Sequence, residues 1–331
     1  MPKNVKKVEN DYRHHIAGRD EIMAMKAKHK ILATYSYEPS TIERGYNSRS
    51  LYISVGGNYD TSRQDALTSS VSGERSVIIG EKAVTEHMKE KFTGGKGFDL
   101  YHLWKSVKED THWNAPENNI VISPGPLAGI TQYPGAGKSL VCSISPLTGL
   151  PFDSNVGGFF GSFMKFSGFD ILELQGKADE DVIIFIDGNA RTVSVETAPD
   201  EAIDSHLLCE QLTEMYAETD SDRMCISVVA SGRAAEHSYI GCLNFSFFDK
   251  RRNCVRIKQA GRGGIGAVFR HKRIKAVVVR YRGTHGDSNN PVKKGLINAA
   301  GVRLHKEMAH LDTKQHEKNR YRKHHRGHGQ I

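Results

Sequence analysis

Residues 123–161 constrain the fold of this 331-residue chain more than any other stretch. Eight glycines fall between Gly125 and Gly161, and Pro124, Pro126, Pro134, Pro146 and Pro151 punctuate the same span. Glycine allows positive φ or a close approach to the main chain, while proline fixes φ and removes a donor. The segment therefore reads as rigid turn structure. A β-branched, apolar run, Ser139-Leu140-Val141-Cys142-Ser143-Ile144, lies inside it and reads as a strand, which a flexible linker would not contain. Two uses fit: tight turns of a β-rich domain, or a cradle of backbone N–H groups for phosphate. A second cluster, Ala260-Gly261-Arg262-Gly263-Gly264-Ile265-Gly266, favours the cradle because it adds a fixed cation to the same kind of backbone.

Strand signals dominate the rest. Arg49–Val55, Ser76–Ile79, Asn119–Ile122, Leu140–Ile144, Ile171–Leu174, Val182–Asp187, Thr192–Val195, Cys225–Ala230, Tyr239–Phe245, Cys254–Ile257 and Ile274–Val279 carry apolar or alternating runs. Helical candidates are Arg19–Leu32, Glu86–Phe92, Phe98–Val107, a segment after Pro199-Asp200 with Asp200 or Asp204 near its start, and Val292–Leu311 as an amphipathic helix. Strands and helices do not alternate regularly, so the class is α+β. Strand followed by Ser-Pro occurs twice, at 119–124 and 140–146, and hints at a short internal duplication. Residues 1–45 read as a polar N-terminal extension, and the stretch after Thr313 has too little apolar content to fold alone.

Composition narrows the class. At 38% hydrophobic and 25% charged residues, the chain has the balance of a soluble globular protein. It contains no apolar run near the ~18 residues a membrane span needs. The basic N-terminus lacks an apolar core behind it, which points to the cytoplasm. Five cysteines at 142, 209, 225, 242 and 254 form no C-x-x-C pair, so they read as free, mostly buried thiols and encode neither a zinc knuckle nor an iron–sulfur run. Of the formal net charge of +8, residues 270–331 hold +12 and the body holds −4. The basicity belongs to the tail, which has Tyr321 as its sole aromatic residue beyond Thr313 and makes a poor nucleic-acid surface. Its histidines (His316, His324, His325, His328) lack cysteine or carboxylate partners at metal-ligand spacing, and a solvated basic tail is the simpler reading.

Two nucleotide motifs fail on context. Gly137-Lys138-Ser139 has Gln132 where a Walker A loop requires glycine, and a strand follows where a helix is needed. Gly261–Gly266 spells G-x-G-x-x-G, but only Ala267–Arg273 precede the next strand, too few for the dinucleotide-binding helix. A glycine turn with Lys258 and Arg262 remains, suited to pyrophosphate or a phosphorylated cofactor.

These motifs carry a family resemblance. Ser123-Pro124-Gly125-Pro126-Leu127-Ala128-Gly129, Ser145-Pro146-Leu147-Thr148-Gly149, Asn155-Val156-Gly157-Gly158-Phe159-Phe160-Gly161, Lys165–Asp170 and Ala260–Val268 stand in the order seen in tungsten-containing aldehyde:ferredoxin oxidoreductases. Gly94–Gly97 and Gly176–Ala178 fit the same pattern. The chain resembles that family's N-terminal domain over residues 46–282, with 1–45 as an extension and 283–331 as the start of a further region.

The resemblance implies an α+β, β-rich domain of two intertwined repeats that forms the base under a tungsten bis-pterin, or molybdopterin, cofactor, with magnesium at its phosphates. It implies cofactor contacts at Lys138, Asn155, Gly157, Lys258, Gln259, Gly261 and Arg262. Lys138 replaces the family's usual arginine, and Lys258-Gln259 its usual Arg-Ala, which exchanges guanidinium forks for point charges. The family's aldehyde oxidation, its [4Fe-4S] cluster and its transfer of electrons to ferredoxin depend on further domains whose cysteine run is absent here. The resemblance thus describes one half of a split enzyme served by a companion chain, or a truncated product. A non-catalytic scaffold subunit of a redox complex is the alternative.

Overall fold

The computed structural model describes residues 18–57, 61–198, 204–283 and 289–318. In chain order the elements are α1 (Arg19–Lys26), β1 (Ile31–Ser36), β2 (Arg49–Ser54), β3 (Ser69–Ser72), β4 (Ile78–Ala83), α2 (Glu86–Phe92), α3 (Lys96–Ser106), β5 (Ile120–Pro124), β6 (Ser139–Ile144) and β7 (Pro151–Val156). Then come α4 (Phe160–Phe166), β8 (Ile171–Gln175), β9 (Val182–Asp187), β10 (Thr192–Thr197), α5 (Ser205–Tyr216), β11 (Ile226–Ala230), β12 (Leu243–Asp249), β13 (Cys254–Ala260), α6 (Ile265–His271), β14 (Ile274–Arg280) and α7 (Lys294–Lys318).

The strands form two seven-stranded mixed sheets, ordered β3-β4-β2-β8-β5-β6-β7 and β1-β10-β9-β14-β11-β12-β13. Each contains one parallel pair, β2 with β8 in the first and β9 with β14 in the second, flanked by antiparallel neighbours. The two orders superimpose: β2, β4, β5, β6, β7, α4 and β8 correspond to β9, β10, β11, β12, β13, α6 and β14. The domain is thus two successive copies of one unit. The halves interlock because α4, which follows the first sheet's β7, packs on β11 and β14, while α6 reaches β6. β1 crosses from the N-terminal stretch to the far edge of the second sheet, against β10.

The duplication marked by the two Ser-Pro motifs is a different thing. β5 and β6 are hydrogen-bonded neighbours inside one unit, so their similarity is local, and the true repeat spans more than a hundred residues. Sequence periodicity also overlooked β1, β3 and β7. Within residues 1–45, the helix ends at Lys26, and Ile31–Ser36 is an integral strand with Leu32, Ala33 and Tyr35 buried.

The sheets pack face to face. Leu51, Ile53, Ile122, Leu172 and Leu174 from one meet Val182, Ile184, Val193, Val277 and Val279 from the other, with Phe160, Phe163, Val268 and Phe269 of α4 and α6 between them. α5 and α1 cover the outer face of the second sheet through Leu208, Leu212, Met215 and Ile22. α5 starts at Asp204, whose carboxylate accepts from the N–H groups of His206 and Leu207 at 2.8 and 3.1 Å; Pro199-Asp200 lies outside the described residues. α2 and α3 cover the outer face of the first sheet through Met88, Phe98 and Leu103. Two of the five thiols, Cys142 and Cys209, are buried, and burial pushes both pKa values up. The other three are half-buried, fewer buried than the sequence suggested.

Candidate cofactor cradle

In each sheet the last strand, β7 or β13, has one hydrogen-bonded neighbour and a free edge. Edge strands expose unpaired backbone groups, and here the two edges lie against each other. Each is followed by a glycine-rich turn and then a short buried helix, so the 157–161 and 261–266 clusters occupy equivalent places in the two copies.

Side chains fix this junction. The Arg262 N–H donates to Ser154 Oγ at 3.1 Å, and Ser145 Oγ donates to the Gly263 carbonyl at 2.8 Å. Gly263 has a φ of +68°, and a Cβ placed there would strike the Phe152 ring at 2.1 Å, so only glycine lets the second turn sit on β7. Sequence reasoning passed over Ser145, Ser154 and Phe152. Ser145 does open the Ser-Pro-Leu-Thr-Gly motif, which could have drawn attention to it.

The seven predicted residues fall on this junction in two groups. Lys138 precedes β6, and its Nζ donates to Asn155 Oδ1 on β7 at 3.4 Å. Asn155 is the immediate neighbour of Ser154, which ties it to the Arg262 backbone. Gly157 follows β7; a Cβ built on it or on Gly158 would meet no atom within 4 Å, so the backbone there is open to an incoming group. Lys258 and Gln259 lie exposed near the end of β13, where they pair in register with Phe245 and Asn244. Lys258 Nζ lies 5.8 Å from the centre of the Phe247 ring. Gly261 and Arg262 complete the exposed turn. Among the described residues, no carboxylate pairs with Lys138, Lys258 or Arg262; the nearby Asp153 is paired with Lys96 at 2.5 Å. Three uncompensated cations around open backbone make a chemical fit for a phosphate-bearing ligand.

The model of the aldehyde ferredoxin oxidoreductase N-terminal domain matches residues 75–281. This chain belongs to that family. It is 34% identical over 202 residues to the tungsten-containing aldehyde ferredoxin oxidoreductase of Pyrococcus horikoshii, covering 61% of this chain and 31% of that protein. It is 28% identical over 214 residues to the WOR-like subunit of an aliphatic sulfonate oxidoreductase of Pyrococcus furiosus, covering 62% of this chain and 32% of that protein. Among solved structures, the BamBC active-site complex of benzoyl-coenzyme A reductase with 1,5-dienoyl-CoA aligns at a TM-score of 0.56 and 25% identity, over 72% of this chain and 31% of that one. The chain spans about a third of the length of the relatives it matches. The family is one of oxidoreductases with a tungsten pterin cofactor. No helix among the described residues is long and apolar enough to cross a membrane.

Proposed function

We propose that this chain is the cofactor-base portion of a tungsten, or molybdenum, pterin oxidoreductase, with residues 46–282 as the cofactor-base unit. The observation that carries the reading is the meeting of two equivalent glycine turns on facing strand edges, flanked by cations that lack carboxylate partners. In this reading Arg262, Lys138 and Lys258 hold the cofactor's phosphates. The Gly157 and Gly261 backbones let them approach, and the Asn155 and Gln259 amides orient them, with magnesium completing the phosphate charge. The bound cofactor supplies two-electron redox chemistry. The whole enzyme would oxidise an aldehyde or related substrate and pass electrons through a [4Fe-4S] cluster to ferredoxin or a similar carrier.

The site faces outward, and exposed apolar side chains, Leu147, Leu150, Phe159 and Ile240, stand around the glycine turns. A companion chain carrying the remaining domains is the partner we propose for them, because apolar groups clustered at a site rim mark interfaces. A scaffold role would leave the cradle without ligand. The distinguishing experiment is anaerobic purification through a tag on this chain from cells supplied with tungstate. Tungsten and pterin near one equivalent, together with a second polypeptide containing iron and acid-labile sulfide, are the expected findings. A complex free of both tungsten and molybdenum would overturn the reading.

A further inference from the structure

A cavity of about 940 Å³ opens between the β8–β9 connection, α6 and the short helical turn at Arg233–His237. None of the seven cradle residues lines it, although Tyr239 on its rim also touches Gly264 through its carbonyl. Its volume lies within the range of small-molecule sites. Lys177, Arg233, Arg270 and Arg273 are among its lining residues, against two carboxylates, Asp181 and Glu236. Both carboxylates are already engaged: Arg270 reaches Asp181 at 2.8 Å and Glu236 at 2.6 Å, and Arg273 lies 3.5 Å from Asp181. Arg233 is left exposed with no carboxylate partner among the described residues.

Lys177 points the same way. Its Nζ lies 3.3 Å from His271 Nε2. Burial, then Lys177 and Lys272, hold the His271 pKa below its ordinary value, so near neutral pH the imidazole accepts from Lys177 and offers it no counter-charge. One wall is aromatic: Trp113 packs edge-on against both Tyr239 and His271 at 5.6 and 5.2 Å between ring centres. A concave recess with positive charges that carboxylates do not cover concentrates anions, and guanidinium forks match phosphate oxygens.

We infer that this cavity is a second anion site, separate from the cofactor cradle, that takes a small polyphosphate or phosphorylated metabolite on Arg233 and Lys177. The inference does not depend on the cofactor reading, because none of its residues belongs to the cradle.

The chain contains two tryptophans, Trp104 and Trp113, so Trp104→Phe leaves Trp113 as the reporter inside the cavity. The probe is inorganic pyrophosphate, titrated at constant ionic strength into the full chain carrying Trp104→Phe, with Trp113 emission as the readout. A saturable change is expected, weakened about tenfold by Arg233→Ala and about tenfold by Lys177→Met, the loss of one charge-assisted bond in each case. Both residues are exposed, so both variants should fold, which their melting temperatures check. Arg262→Ala should leave the titration unchanged. Absence of a saturable response, equal affinity in the Arg233→Ala/Lys177→Met double variant, or loss of the response in Arg262→Ala alone would each overturn the inference.

Discussion

At the scale of single residues, the chain separates cations enclosed by the fold from cations left exposed without a carboxylate partner among the described residues. Lys272 belongs to the first group. It is buried at 2% exposure, with its Nζ 3.1 Å from the Gly176 carbonyl and 3.4 Å from that of Pro116. Burial brings its pKa down to about 7, with Lys177 adding to the shift and Glu117 opposing it. Between about pH 7 and the ordinary lysine value, the unfolded chain holds a proton that the folded one has released. Stability should therefore rise with pH in that window, by about 1 kcal/mol from pH 7 to 8 on this group's account. Lys272→Met should remove that increment, as urea denaturation at the two pH values would show; an unchanged slope would contradict it. Arg262 belongs to the second group, since its side chain has no carboxylate partner among the described residues and only its N–H is used by the fold. The sequence distinguished these roles in part. Arg262 announced itself by lying between glycines, whereas nothing around Lys272 in the chain shows that two distant carbonyls, Gly176 and Pro116, will enclose it.

At the scale of elements, the outer face of the first sheet carries a buried charged network under α3. Glu173 of β8 lies 2.8 Å from Lys82 of β4 and 3.0 Å from His102 of α3, and accepts from Ser50 of β2 at 2.8 Å. Burial opposes the Glu173 charge, but His102 and Lys82 outweigh it and hold the carboxyl well below the usual carboxylate range. Removing one member leaves the others uncompensated, so Glu173→Gln should destabilise the chain by about 3 kcal/mol. Adding Lys82→Met to Glu173→Gln should recover part of that loss, because both sides of one pair are then gone. A double-mutant cycle in urea tests this, and strict additivity would count against it. Elements with a long apolar run or a clear helical period were the legible ones: β9 and β14 read as apolar runs, and α5 as a periodic helix. β7 and β3 escaped because half or more of their residues are polar and neither carries a sustained apolar run. α4 and α6 escaped because a short helix buried almost all round has no amphipathic period to detect.

At the scale of the molecule, duplication explains why one glycine-rich turn became two. Each copy ends its edge strand in a glycine turn, and apposing the copies sets both turns on one surface. The order of motifs along the chain suggested the family, but the pairing of 155–161 with 259–266 emerges only from the matching sheet orders. α7 was expected over Val292–Leu311 and runs from Lys294 to Lys318. Gly301 sits against the Gln132 carbonyl, while Leu296, Val302, Met308 and Leu311 stay exposed. With Leu147, Leu150, Phe159 and Ile240 also exposed, the purified chain alone should bind a hydrophobic dye or self-associate. Light scattering with dye titration checks this, and a monodisperse monomer that binds no dye would argue against an interface at these side chains. The central claim, that the facing turns hold the cofactor's phosphates, is tested most directly by Arg262→Ala in the assembled complex, with tungsten content measured beside the melting temperature of the cofactor-free chain. Loss of one charge-assisted phosphate contact should weaken retention roughly ten- to a hundredfold. Because Arg262 has no carboxylate to neutralise among the described residues, the cofactor-free melting temperature should hardly move. A variant that keeps its full tungsten content and instead melts well below the wild type would contradict the account.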